Sequence, residues 1–162
     1  MRKTLNLNKS DGVTLVEIMA ALVVFGILIA LSVPAFEKYM ETQQVEGTIH
    51  RLAANLRLAR QSAVTERNNY RVVFNTAARE YSILDDENNN GAADPGEIVL
   101  GPVAVPVQLT VTNGPALPFP GDTVVFYPSG SSSSTGTVTV SNRKGYARLV
   151  RVMRSTGSVA VR

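Results

Sequence analysis

Hydrophobic positions follow three different patterns along the chain. From Val13 to Phe36 the sequence VTLVEIMAALVVFGILIALSVPAF is apolar almost throughout, and the 19 residues from Ile18 to Phe36 carry no charge. Such a run predicts one membrane-spanning helix. Its 24 residues reach about 36 Å at about 1.5 Å per residue, against a hydrocarbon core of about 30 Å. Two residues stand out. Glu17 places a carboxylate where mid-membrane burial costs roughly 2.5–3.5 kcal/mol, and less near the interface. Pro34 removes a helical hydrogen bond and predicts a kink.

Between residues 37 and 67 the pattern becomes periodic. Val45, Ile49, Leu52, Leu56, Ala59 and Ala63 are spaced 4, 3, 4, 3 and 4 apart, one apolar stripe along a helix. Glu41, Arg51, Arg57 and Arg60 fall largely off the stripe. The two helical segments join into one of about 55 residues and about 80 Å, with Gly47 a second place to bend. His50 is expected on the helix surface.

From Tyr70 onward short β-type runs alternate with turn residues. Strands are expected at 70–75, 80–84, 97–100, 107–112, 124–127, 137–140, 147–154 and 158–161, in antiparallel sheets with the helical stripe on one face. Residues 114–121 hold five Pro or Gly in eight positions and predict a loop. The serine-rich stretch 129–136 (SGSSSSTG) predicts a flexible loop. The expected class is therefore α+β. Four parts are expected: a leader at 1–12, a transmembrane and assembly helix at 13–36, an amphipathic helix at 37–67, and a β-rich head at 68–162.

Composition narrows the function. The chain has 162 residues, 44% hydrophobic and 18% charged, with a net charge of +3. That charge is too small to imply nucleic-acid binding by itself. There is no Cys and a single His, His50, so no disulfide, thiolate nucleophile or His-rich zinc site is built here. The Ser cluster has no histidine partner and no nucleophile elbow, and no Gly-rich phosphate loop occurs. No enzyme is expected and no cofactor is required. Arg2, Lys3 and Lys9 precede the apolar run, and Glu37, Glu41 and Glu46 follow it. This asymmetry keeps the amino terminus in the cytoplasm and sends the head to the periplasm or exterior.

The segment Gly12-Val13-Thr14-Leu15-Val16-Glu17 resembles the processing site of type IV pilins and type II secretion pseudopilins. The strings Phe126-Tyr127-Pro128-Ser129-Gly130, Gly136-Thr137-Val138, Arg148-Leu149-Val150-Arg151-Val152 and Gly157-Ser158-Val159 resemble the GspH/FimT branch of the minor pseudopilins. The resemblance implies a pilin-like fold and a filament role. It also implies cleavage after Gly12 by a prepilin peptidase and methylation of the new amino terminus at Val13. Glu17 and Pro34 then become the fifth and twenty-second mature residues, positions the family favours. Val13 departs from the usual Phe or Met, which bears on methylation more than on cleavage. The partners implied are other pilins or pseudopilins through the amino-terminal helix, the peptidase, and the bacterial inner membrane, crossed by a single span. A physical reason supports the Glu: an α-amine entering an apolar bundle is costly unless paired, and the carboxylate of a neighbouring subunit supplies the pair. The competing readings are an interfacial Glu and an ordinary secretory signal cut after Ser32, giving a secreted or membrane-anchored periplasmic binding protein.

Two further constellations remain. Asp86, Asn88, Asn90, Asp94 and Glu97, with Gly91 at the sixth position, match the oxygen spacing of a 12-residue Ca²⁺ loop without its flanking helices. The alternative is a solvated Asn/Asp/Gly hairpin loop. Six basic residues and no acid lie between Arg143 and Arg162, and such a patch can hold phosphates. This raises a DNA-uptake pilin as the alternative function, with Arg148, Arg151 and Arg154 as contacts. Against it, the Gly-Arg-x-Arg of DNA-binding FimT-like relatives is Gly157-Ser158-Val159-Ala160 here. Strand alternation also puts Arg148 and Arg154 on one face and Arg151 on the other, so no DNA partner is expected.

Overall fold

The structure, a computed structural model, describes residues 13–91, 94, 96–106, 109–114 and 117–162. Among the described residues are one α-helix, α1 (Leu15–Glu66), and eight strands: β1 (Asn69–Asn75), β2 (Glu80–Asp86), β3 (Ile98–Ala104), β4 (Leu109–Asn113), β5 (Thr123–Phe126), β6 (Gly136–Asn142), β7 (Ala147–Val152) and β8 (Val159–Val161). The leader 1–12 and residues 107–108, the start of one expected strand, lie outside the described residues. Eight strands occur near the eight expected places. The chain divides into two compact units, Met1–Tyr39 and Met40–Arg162.

In the first unit Thr14 caps α1. Its hydroxyl accepts the Glu17 N–H at 3.3 Å, and its carbonyl accepts the Glu17 and Ile18 N–H groups at 3.1 and 3.2 Å. Helix assignment continues through Pro34 and Gly47. The apolar side chains of the first unit are exposed all round the helix. Ser32 hides its hydroxyl by donating to the Leu28 carbonyl at 2.7 Å, which removes a free donor from an apolar surface.

In the second unit α1 ends where Arg67 takes φ 61°, a left-handed stop that releases the chain into β1. The two sheets are antiparallel, in the orders β3-β2-β1-β5 and β4-β6-β7-β8. All six stripe residues, Val45 to Ala63, are buried. They share one core with Val72 and Phe74 of β1, Val124 and Phe126 of β5, Val138 and Val140 of β6, and Val150 and Val152 of β7. Strand alternation sends these inward and their neighbours outward.

Two expectations are corrected, while the loop expected at 114–121 is irregular where described and runs into a short 3-10 turn, Pro120–Asp122. The serine-rich stretch is stitched down: the Ser133 N–H donates to the Val125 carbonyl at 2.8 Å and Ser133 Oγ accepts the Val125 N–H at 3.0 Å. Ser132 is buried, with its hydroxyl shared between the Ser134 and Met153 carbonyls at 3.1 and 3.2 Å. Low complexity misled because serine hydroxyls bond the backbone locally. The last long strand ends at Val152 instead of Arg154, because Met153–Gly157 closes a turn through a 2.8 Å bond from the Gly157 N–H to the Met153 carbonyl.

Candidate assembly and interaction sites

The amino-terminal site begins with residues whose own chain gives them little cover. Leu22, Phe25 and Leu31 are 66%, 63% and 69% exposed. α1 is the one helix among the described residues long and apolar enough to cross a membrane. Glu17 lies in the first turn of α1, where the exposed N–H groups favour a carboxylate. With Thr14 three residues earlier, it forms the T-x-x-E pattern of a capping box. Sequence reasoning missed this local role for Thr14, although the spacing announced it. Gly12 lies outside the described residues, and Val13 is exposed beside the cap.

On the second unit, the polar flank of α1 grips the β-rich part. Arg51, Arg57 and Arg60 donate to the carbonyls of Ala104, Val159 and Gly130 at 3.0, 3.1 and 2.9 Å. Glu41 pairs with Lys144 at 3.4 Å, and Glu46 pairs with Arg148 at 2.9 Å while accepting the Tyr146 hydroxyl. The Tyr146 bond, aided by Arg148 against some burial, holds the Glu46 carboxyl below its ordinary range. His50 is exposed, 3.7 Å from Glu46.

This seam changes the reading of the three arginines. Arg148 shares its strand face with the buried Val150 and Val152 and is turned toward Glu46. Arg151 belongs to the opposite face, and Arg154 lies beyond the strand, in the turn. Arg148 and Arg154 thus do not share one strand face, and the three do not form one phosphate-binding row. The sequence pattern could not show that Arg148 meets an acid about a hundred residues earlier.

The 86–97 loop is held by its own bonds. Asp86 is buried and paired with Arg71 at 2.9 Å. Burial works to raise its pKa, but the Arg71 bond and the Gly91 N–H outweigh it, leaving the carboxyl below its usual range. Asn88 and Asn90 each turn an amide N–H₂ to Asp94, at 2.8 and 2.7 Å, and Glu97 accepts the Asp94 N–H at 3.1 Å. Gly91 has φ +74°, and a Cβ there would meet Arg71 Nη2 at 2.8 Å, so the sixth position requires glycine for the turn itself. Residues 92, 93 and 95 lie outside the described residues. A cation here has to win Asp86 from Arg71 and Asp94 from two amides. Beside the loop Asp85, Glu87, Asn88, Asp94, Gly96 and Glu97 line a cavity of about 340 Å³. Burial, with Glu66 and Glu87 nearby, pushes the Asp85 carboxyl up. Burial and a 2.6 Å bond to Glu66 push the Tyr70 hydroxyl up as well.

The family model described as type II transport protein GspH matches residues 48–157, and the prokaryotic N-terminal methylation motif matches residues 7–33. No curated protein matches the chain. Among solved structures, the minor pseudopilin EpsH from the type 2 secretion system of Vibrio cholerae is similar at TM-score 0.59 and 12% identity, covering 74% of this chain and 96% of that one. The type IV minor pilin FimU of Pseudomonas aeruginosa is similar at TM-score 0.56 and 18% identity, covering 76% of this chain and 92% of that one.

Proposed function

The chain belongs to the GspH family of type II transport proteins, and from that premise we propose that it works as a minor pseudopilin or pilin which primes or caps a periplasmic filament. The observation that carries this reading is the run of half- to mostly exposed apolar side chains from Leu15 to Phe36, most of it within the matched methylation motif, residues 7–33. Such a surface needs lipid before assembly and neighbouring helices after it. Membrane insertion comes first, with the amino terminus cytoplasmic and the head periplasmic. A prepilin peptidase then cuts after Gly12 and methylates Val13. In the bundle, Glu17 neutralises a neighbour's α-amine, with Thr14 fixing the helix start from which the carboxylate projects. No catalytic step is assigned. The DNA-uptake alternative gains nothing from an Arg148 already paired with Glu46.

Intact mass of the protein recovered from membranes tests the processing. A chain of 150 residues starting at Val13, that is 162 − 12, with or without one methyl, is expected. A start at Val33 means a secretory route and overturns the reading. Glu17→Ala and Glu17→Val are both expected to insert and be cut, yet to fail to join the filament. Normal recruitment of either would make the carboxylate incidental.

A further inference from the structure

Two loops of the second unit meet beside the carboxy-terminal strands and border an open surface recess of about 460 Å³, lined by Tyr127, Ser131, Ser132, Thr135, Arg154 and Ser155. The loops are fixed to each other. The Ser132 N–H donates to the Arg154 carbonyl at 2.9 Å, and the Arg154 N–H donates to Thr135 Oγ1 at 3.0 Å. Behind them Arg60 donates to the Gly130 carbonyl at 2.9 Å. Gly157 has φ +59°, and a Cβ there would come within 2.3 Å of the Gly130 oxygen and 3.0 Å of Arg60 Nε. The walls are therefore built before any ligand arrives, which lowers the ordering cost of binding.

The chemistry of the lining is one-sided. The Arg154 guanidinium is exposed and has no hydrogen-bond or ion-pair partner among the described residues. Among the described residues no acid lines the recess, and Tyr127 brings an aromatic face; the Ser132 hydroxyl is already given to the Ser134 and Met153 carbonyls, Ser131 Oγ shares a bond with Ser129 Oγ and Thr135 Oγ1 accepts the Arg154 N–H, so Ser155 and the remaining capacity of Ser131 and Thr135 face a ligand. A planar guanidinium fork matches a carboxylate in two parallel hydrogen bonds. A single positive charge suits a singly charged group. The recess is larger than a lone carboxylate needs.

We infer that this recess is a docking subsite for an acidic peptide segment, whose Asp or Glu carboxylate seats on Arg154 with its backbone among the hydroxyls. That the segment comes from a neighbouring filament subunit rests on the filament reading above; the carboxylate chemistry does not.

The test uses the full chain in detergent micelles and follows the Arg154 Nε–Hε NMR signal, assigned by its loss in Arg154→Gln. The probes are Ac-Gly-Glu-Gly-NH₂, Ac-Gly-Gln-Gly-NH₂ and acetate. A saturable shift is expected with the Glu peptide, at least fivefold weaker with the Gln peptide and with acetate; Arg154→Lys, which keeps the charge but loses the fork, is compared with wild type at the Ser155 backbone N–H signal, and weaker binding is expected there. No saturable shift, or equal binding of the Glu and Gln peptides, overturns the subsite. Acetate binding as tightly as the Glu peptide overturns the peptide partner. The titration needs no assembly, so a chain that binds the peptide but never joins a filament defeats the filament reading and leaves the subsite standing.

Discussion

Two stretches of the same helix, residues 15–36 and residues 45–63, are both rich in leucine, isoleucine, valine and alanine, yet they end in opposite surroundings. In the second, Val45, Ile49 and Leu56 are at most 1% exposed, and in the first every large apolar side chain is half exposed or more. The difference lies in the pattern. An apolar stripe offers one face, which a pair of sheets from the same chain can cover. A helix that is apolar all round has no face to choose, so its cover must surround it, as lipid or a bundle does and two sheets cannot. Hydrophobicity alone thus does not say whether a segment builds its own core or asks for partners; its periodicity does.

The comparison breaks most readily at paired leucines. Leu56→Ala is expected to lower the stability of the purified chain by about 2–5 kcal/mol, as core truncations do, whereas Leu22→Ala in detergent should stay within about 0.5 kcal/mol. Thermal and denaturant melts read both, and equal losses would erase the distinction. A smaller effect concerns how the cover is kept in place. Gly157→Ala should cost about 1–3 kcal/mol through its left-handed backbone and the contact with Gly130, and a melt unchanged from wild type would mean that the Arg60 corner holds nothing.

Acid sharpens the contrast further, because the polar seam titrates. Glu46 has a folded pKa below its ordinary 4.5, so its contribution is complete above about that pH and is lost as pH falls through the lower folded value. Tyr146→Phe should flatten this acid-side loss in a pH series of melts. Asp85 runs the other way: its folded pKa lies above the ordinary 3.8, so folding gains as pH falls through the raised value. Asp85→Asn should therefore raise the melting temperature at neutral pH and lose that advantage in acid. The smallest effect is expected from calcium. At millimolar concentration it should leave the melting temperature unchanged, since Asp86 and Asp94 are already engaged; a rise of several degrees would make the 86–97 loop part of the cover.

Much of this was legible in the sequence, because it was local. The stripe from Val45 to Ala63, the eight strand positions and the exposed His50 follow from spacing and residue type. What escaped was long-range or depended on the backbone. The insertion of β5 beside β1, the pairing of β4 with β6, and the turning of Arg148 toward Glu46 join residues far apart in the chain. The serine-rich loop was misjudged because composition counts hydroxyls without saying which carbonyls they reach. Thr14 was legible and overlooked: its T-x-x-E spacing carries a cap whatever Glu17 does in a bundle.

The three arginines of α1 hold Ala104, Val159 and Gly130 by their main-chain oxygens. A carbonyl is present whatever side chain stands at that position, so the exposed side chain at Ala104 can drift without loosening the hold, whereas the left-handed backbone of Gly130 and the core packing of Val159 narrow the choice at those two. Outward-facing loops and strand ends are thereby left open to diversification, each free to suit a new neighbour while the helix keeps its grip. A scaffold anchored in this way tolerates wide sequence divergence, and structures of the same fold sharing only 12% and 18% of its residues are what such tolerance leads one to expect.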